Sequence, residues 1–177
     1  MKRMVLTILF MFALCLVATA QQDKSKRPSP PAQAQCKFSD GKTITVDYSS
    51  PRMKGRKIFG ELVPYGEVWR TGANDATTFV TAANLTAEGK DIPAGNYTIF
   101  TVPTQDKWTL IFNKHTGEWG IPYKYESEEL ARVPMSISKT SGPVENFTIN
   151  LNQSDGGCTL QMSWENTQTS IKLSEKK

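Results

Sequence analysis

The sequence predicts an all-β, single-domain antiparallel β-sandwich, jelly-roll-like or Ig-like, with at most one short helix. Three observations predict it. Nearly every periodic segment alternates apolar and polar residues with period two, the pattern of a half-buried strand. Turn signals recur at short intervals: Asp40-Gly41, Glu88-Gly89, Pro93-Ala94-Gly95, Thr104-Gln105-Asp106, Ser141-Gly142-Pro143 and Asp155-Gly156-Gly157. The one helical candidate, Glu126 to Arg132, is long enough for no more than a surface turn or two.

In chain order, the first segment reads as a targeting signal. Lys2 and Arg3 precede an apolar run from Val5 to Val17, and Ala18-Thr19-Ala20 offers a small-residue cleavage site. That three-part pattern is a secretory signal peptide over residues 1–20, and its apolar run is short for a membrane span. Residues 21–35 are polar and Pro-rich without periodicity, and read as a flexible tether. Residues 36–177 make one domain large enough to bury a core. No second apolar run long enough to cross a bilayer follows Cys36. The expected location is therefore exported: periplasm, outer envelope or extracellular.

Within the domain, Lys42 to Tyr48 alternates on Ile44, Val46 and Tyr48, and Thr77 to Ala82 centres on Phe79. Asn96 to Val102 and Lys107 to Asn113 follow, the latter with Trp108, Leu110 and Phe112 in register. Arg132 to Lys139, Val144 to Leu151, Thr159 to Trp164 and Thr169 to Leu173 complete the strands. The short piece Glu67 to Thr71 leaves a turn as a strand, so Trp69 and Arg70 face opposite ways, Trp69 toward the core.

Composition removes several classes of function. The formal net charge of +4 falls to +2 when Lys2 and Arg3 leave with the signal, too near balance for a nucleic-acid partner. There is one histidine, His115, in a polar turn, so a multi-histidine zinc site is excluded. No Gly-rich phosphate loop, CxxC pair or HExxH occurs, and no metal or cofactor is expected. The domain keeps Cys36 and Cys158. An even count in an oxidising compartment suggests a bridge between a first strand and a late one. Closing that loop is worth about 4–5 kcal/mol on the chain-entropy model. Two small buried thiols are the alternative.

The candidate site lies mainly between Asp47 and Asn74, a stretch broken by Pro51, Gly55, Gly60, Pro64, Gly66 and Gly72. Asp47 ends a strand on its polar face, where it can accept from an arginine or act as a base. Arg52, Lys54, Arg56 and Lys57 could hold an anion, or guard a sheet edge by charge. Tyr65, Arg70 and Asn74 combine aromatic, cationic and amide character, suited to a sugar, a nucleotide fragment or a small acid. Trp119, in a Gly- and Pro-containing loop, could supply a stacking surface, or anchor that loop as a buried ring. Glu165 is a possible second carboxylate for acid–base work with Asp47.

The segments DYSSPRMKGRKIFGELVPYGEVWRTGAN, GKDIPAGNYTIFTVP, KWTLIFNK, EWG, PVENFTI and SWENT together resemble the bacterial exported family known as domain of unknown function 2911. The resemblance spans nearly all of residues 36–177 and implies an all-β cell-envelope domain, without implying an activity. Three functions then compete. One is a module binding a small polar, anionic or carbohydrate-like ligand, or an envelope partner. The second is a structural module with no small-molecule site. The third is a hydrolase using Asp47 or Glu165 with Arg70 and Asn74.

Overall fold

The structure, a computed structural model, describes residues 24–176. The expected signal peptide, residues 1–20, and the start of the tether lie outside the described residues. Nine strands carry the fold: β1 (Pro31–Lys37), β2 (Thr43–Ser49), β3 (Thr77–Thr81), β4 (Leu85–Ala87), β5 (Lys90–Ile92), β6 (Gly95–Pro103), β7 (Trp108–Asn113), β8 (Glu129–Ser154) and β9 (Gly157–Glu175). All neighbours are antiparallel, in the order β1-β2-β3-β6-β7-β8-β9-β4-β5. The architecture is all-β and sandwich-like, as expected. Its path is a meander from β1 to β9, from which the β4–β5 hairpin departs to join β9.

One long strand makes the two leaves. The first part of β8, to Met135, pairs with β7, and from Ser136 onward β8 pairs with β9. The sheet folds there and brings β9, β4 and β5 over the first leaf. The side chains alternating inward from both leaves fill the space between: Ile44, Val46, Phe79, Leu110, Phe112, Ile149, Leu160, Met162 and Leu173 are all buried. Two links close the open side. Cys36 of β1 is bridged to Cys158 of β9, and the chain beyond β2 crosses to β8. There Phe147 N–H donates to Pro51 O at 2.9 Å and Met53 N–H to Glu145 O at 2.8 Å.

The central strands are covered on both faces. Phe100 and Ile111 point away from the main core and form a small outer cluster with Ala76. Val68, Val102, Tyr123 and Tyr125 pack over it, so residues 114–125 and the chain before β3 lie on the outer face of the first leaf. This cover positions the site.

The structure corrects four expectations about local structure. Residues 31–35, assigned to the tether, belong to β1 and pair with Ser49 to Thr45 of β2. Ala32, Ala34 and Cys36 point to the core in alternation, but short side chains make a faint apolar pattern. Pro31 starts the strand, where its missing donor does least harm. Ser141-Gly142-Pro143 is not a turn between strands but an irregular stretch within β8, where the register against β9 shifts between Lys139 and Val144. A bulge accommodates Gly and Pro inside a strand, and Glu165 opposite, at φ +54, takes up the local twist. Glu165 to Thr167, between the expected strands Thr159 to Trp164 and Thr169 to Leu173, is likewise interior to β9. The helical candidate shrinks to a single 3-10 turn, Glu126–Glu128, because Leu130 to Met135 take up the ladder along β7.

Candidate functional site

The excursion from Asp47 to Asn74 leaves β2 and returns to β3, and its residues divide among four places. In the first, the basic run secures its own loop. Arg52 Nη1 donates to Ser50 O at 2.9 Å and to Ser50 Oγ at 2.8 Å, and Ser50 Oγ donates on to Phe147 O at 2.7 Å. Arg56 folds back on Arg52 O at 2.6 Å and Met53 O at 2.9 Å. Lys54, at φ +49, donates its backbone N–H to Glu145 Oε1 at 2.9 Å, and Lys57 pairs with Glu61 across solvent. Guanidinium groups saturating loop carbonyls hold this crossing to β8 in place. None of Arg52, Lys54 or Arg56 joins the other candidates.

The middle of the excursion is core. Ile58, Phe59 and Val63 are buried, and Trp69 exchanges both backbone hydrogen bonds with Thr101 of β6, at 2.8 and 2.9 Å. Trp69 faces inward among Phe59, Trp108, Phe147 and Trp164, so Arg70 emerges on the opposite side, as the period-two reading requires. Tyr65 stands apart, exposed, over a separate cleft.

Arg70 and Trp119 do come together, on the outer face of the first leaf, with a cleft lined by Asp47 nearby and Asn74 turned to the chain before β1. Asp47 projects outward from β2, accepting from Gln33 Nε2 at 2.7 Å. It lines a cleft of about 220 Å³ with Arg27, Pro31, Ser49, Asp75 and Thr78, above Ala76 and Tyr48. Arg27 lies 3.8 Å from Asp75. Asn74 occupies the left-handed region at φ +58, which asparagine tolerates, and donates to Ser29 O at 3.0 Å. It thereby holds the chain before β1 against this face.

Ala76 joins the cleft to the Trp119 loop. Gly120 sits so close over it that a Cβ there would lie 2.8 Å from Ala76 Cβ and 3.1 Å from Arg70 Cβ. Since Gly120 also has φ +85, only glycine fits easily. The neighbouring Trp119 ring is thus presented at the surface, 54% exposed, with the Arg70 guanidinium 4.9 Å from its centroid. Burial pulls the Arg70 pKa down, and the charge of Asp75 opposes that pull. The result is an open aromatic face bordered by a cation, next to a cleft with two carboxylates.

A polar network anchors the same loop. Tyr123 OH donates to Glu129 Oε1 at 2.7 Å and accepts from Asn113 Nδ2 at 3.0 Å, while Arg132 grips both Glu129 oxygens at 2.7 Å. The Arg132 guanidinium holds the Glu129 carboxyl below the usual glutamate value, against a smaller opposing effect of burial. Because the folded value lies below the unfolded one, the pair stabilises the fold above the ordinary carboxylate range. That contribution is lost as pH falls through the lowered value. An NMR titration of the Glu129 carboxyl is expected to show this depressed midpoint, and Arg132→Met to raise it; an unchanged midpoint in the variant would contradict the assignment.

Other sequence candidates stay apart. Glu165 accepts from Phe59 N–H at 3.4 Å and lines no cavity with Asp47. His115 pairs with Glu128 at 3.0 Å and stacks on Tyr125. No cluster of three metal-ligating side chains occurs among the described residues. Sequence reasoning missed Arg27, which lay in the supposed tether, and passed over Asp75, although it follows Asn74 directly.

A family model described as Protein of unknown function (DUF2911) matches residues 29–173. No curated protein and no solved structure matches the chain.

Proposed function

The chain belongs to the DUF2911 family, whose description names no function, and we propose that it is an exported envelope module binding a small, hydroxyl-rich, carbohydrate-like ligand on the outer face of the first leaf. The observation that carries this is the exposed Trp119 ring beside Arg70, in a loop whose Gly120 packs on Ala76 at the cleft of Asp47 and Asp75. A sugar ring offers an apolar C–H face for an indole and hydroxyls that donate to carboxylates or accept from guanidinium groups. At about 220 Å³ the cleft suits one ring, being smaller than the ~300–1,000 Å³ of drug-sized sites. Export is supported by the signal-like residues 1–20 and by the Cys36–Cys158 bridge, which persists in an oxidising compartment.

A purely structural role draws support from Arg52 and Arg56, since Arg52 Nη1 and Arg56 Nε and Nη2 all donate to the loop itself. It leaves the exposure of Trp119 without a reason. The hydrolase reading loses Glu165 as a partner for Asp47, since Glu165 accepts from Phe59 N–H and does not line the cleft of Asp47. Calorimetric titration with neutral mono- and disaccharides is expected to give saturable binding, weakened at least about tenfold, or 1.4 kcal/mol, by Trp119→Ala and by Asp47→Asn. Both positions are exposed, so the melting temperature should hardly move. Binding by neither wild type nor variants, or binding indifferent to both substitutions, would overturn the proposal.

A further inference from the structure

The middle of the excursion also helps to form a second cleft, which shares no lining residue with the first. Tyr65 forms its wall. Its ring lies so close to Gly60 that a Cβ there would be 2.8 Å from Tyr65 Cε2, and Gly60 has φ +88. Gly66 N–H donates to Pro103 O at 2.8 Å and ties this wall to the end of β6. Phe59 and Trp108, with ring centroids 5.0 Å apart, line the interior. The rim comes from three other places in the chain: Gln105 in the β6–β7 turn, Lys139 in β8 and Asn166 in β9.

Two features set this cleft apart. No carboxylate lines it, whereas two line the other. And the polar ends of Tyr65, Gln105, Lys139 and Asn166 make no hydrogen bond or ion pair among the described residues, in contrast to the arginines of the basic run. A cation, two amides and a phenol, each with free donors, converge over an aromatic interior in a space of about 190 Å³.

We infer that this cleft is a separate binding site for a single-ring organic acid of the sugar-acid type, a uronate. The Lys139 ammonium meets the carboxylate, the amides and the Tyr65 hydroxyl meet the ring hydroxyls, and the aromatic interior takes the C–H face. Selection against neutral sugars comes from Lys139, which otherwise has no counter-ion. The inference does not rest on the Trp119 face.

The test is calorimetric titration of the intact protein with D-glucuronate, with D-glucose titrated into Trp119→Ala as the neutral control, so that the outer-face site does not contribute. The expected result is saturable glucuronate binding that weakens with added salt, as an exposed ion pair does. Lys139→Gln and Tyr65→Ala should each weaken it at least tenfold, while Trp119→Ala leaves it intact. Lys139 and Tyr65 are both exposed, and unchanged melting temperatures would confirm that the variants fold. No saturable glucuronate binding, equal binding by Lys139→Gln, or loss on Trp119→Ala alone would each overturn the inference. The last two outcomes leave the neutral-sugar proposal standing, so the two claims fail separately.

Discussion

Replacing Cys36 and Cys158 together by alanine is expected to lower the free energy of unfolding by about 4–5 kcal/mol. The bridge joins residues 122 apart, so it closes most of the domain into one loop and removes that freedom from the unfolded chain. It also acts where the fold most needs a clamp. β1 is an edge strand whose inward side chains include Ala32 and Ala34, which bury little apolar area, and the disulfide fastens it across the sandwich to β9. Cys158 is fully buried and Cys36 nearly so, which shields the bond from reductant while the protein is folded. Urea unfolding checks this directly. The midpoint of the alanine variant should match that of wild-type protein unfolded and refolded under reducing conditions, with both well below the oxidised protein. A loss under about 1 kcal/mol would mean that the closure contributes little.

Trp69→Ala should cost about 3 kcal/mol, the low end of the range for deleting a large ring from a core, because Trp69 is partly buried against it. Trp69 lies nearly parallel to Trp164, centroids 5.9 Å apart, and meets Phe147 edge-on at 4.9 Å. Phe59 and Trp108 complete the cluster, and the indole N–H donates to Gly72 O at 3.1 Å. These contacts seat the excursion on the sandwich, because Trp69 is also the residue whose backbone pairs with Thr101. Its removal should therefore loosen Arg70 and the Trp119 loop as well as the core. The near-ultraviolet circular dichroism of the coupled indoles should weaken in the same variant. Trp69→Phe should recover part of the stability; if alanine and phenylalanine variants both melt like wild type, the excursion is held by something other than this cluster.

What the sequence disclosed follows from side-chain size and period. β2 and β7 were legible because Ile44, Val46, Tyr48 and Trp108, Leu110, Phe112 are large and strictly alternate. β1 was hidden by Ala and Gln at the alternating positions. Gly142 and Pro143 read equally well as a turn or a bulge, and only the ladder of β9 on both sides decides for the bulge. The opposed directions of Trp69 and Arg70 follow from strand geometry alone and were foreseen. The fate of Arg52 and Arg56 was not, because a guanidinium that caps its own loop has the same sequence as one waiting for an anion. Arg27 could be placed only once Asn74 was seen holding the preceding chain at Ser29.

The central claim is that Trp119, the most exposed of the four tryptophans, is the ligand platform. Of the four tryptophans, Trp108 and Trp164 are buried and Trp69 is enclosed by rings, whereas Trp119 is open. Indole N–H resonances in a two-dimensional NMR spectrum distinguish them during titration with a neutral disaccharide. The account predicts a saturable shift of the Trp119 resonance with the other three unmoved. A titration in which Trp119 stays fixed while the protein binds saccharide elsewhere, or in which no saccharide moves it, would contradict that claim.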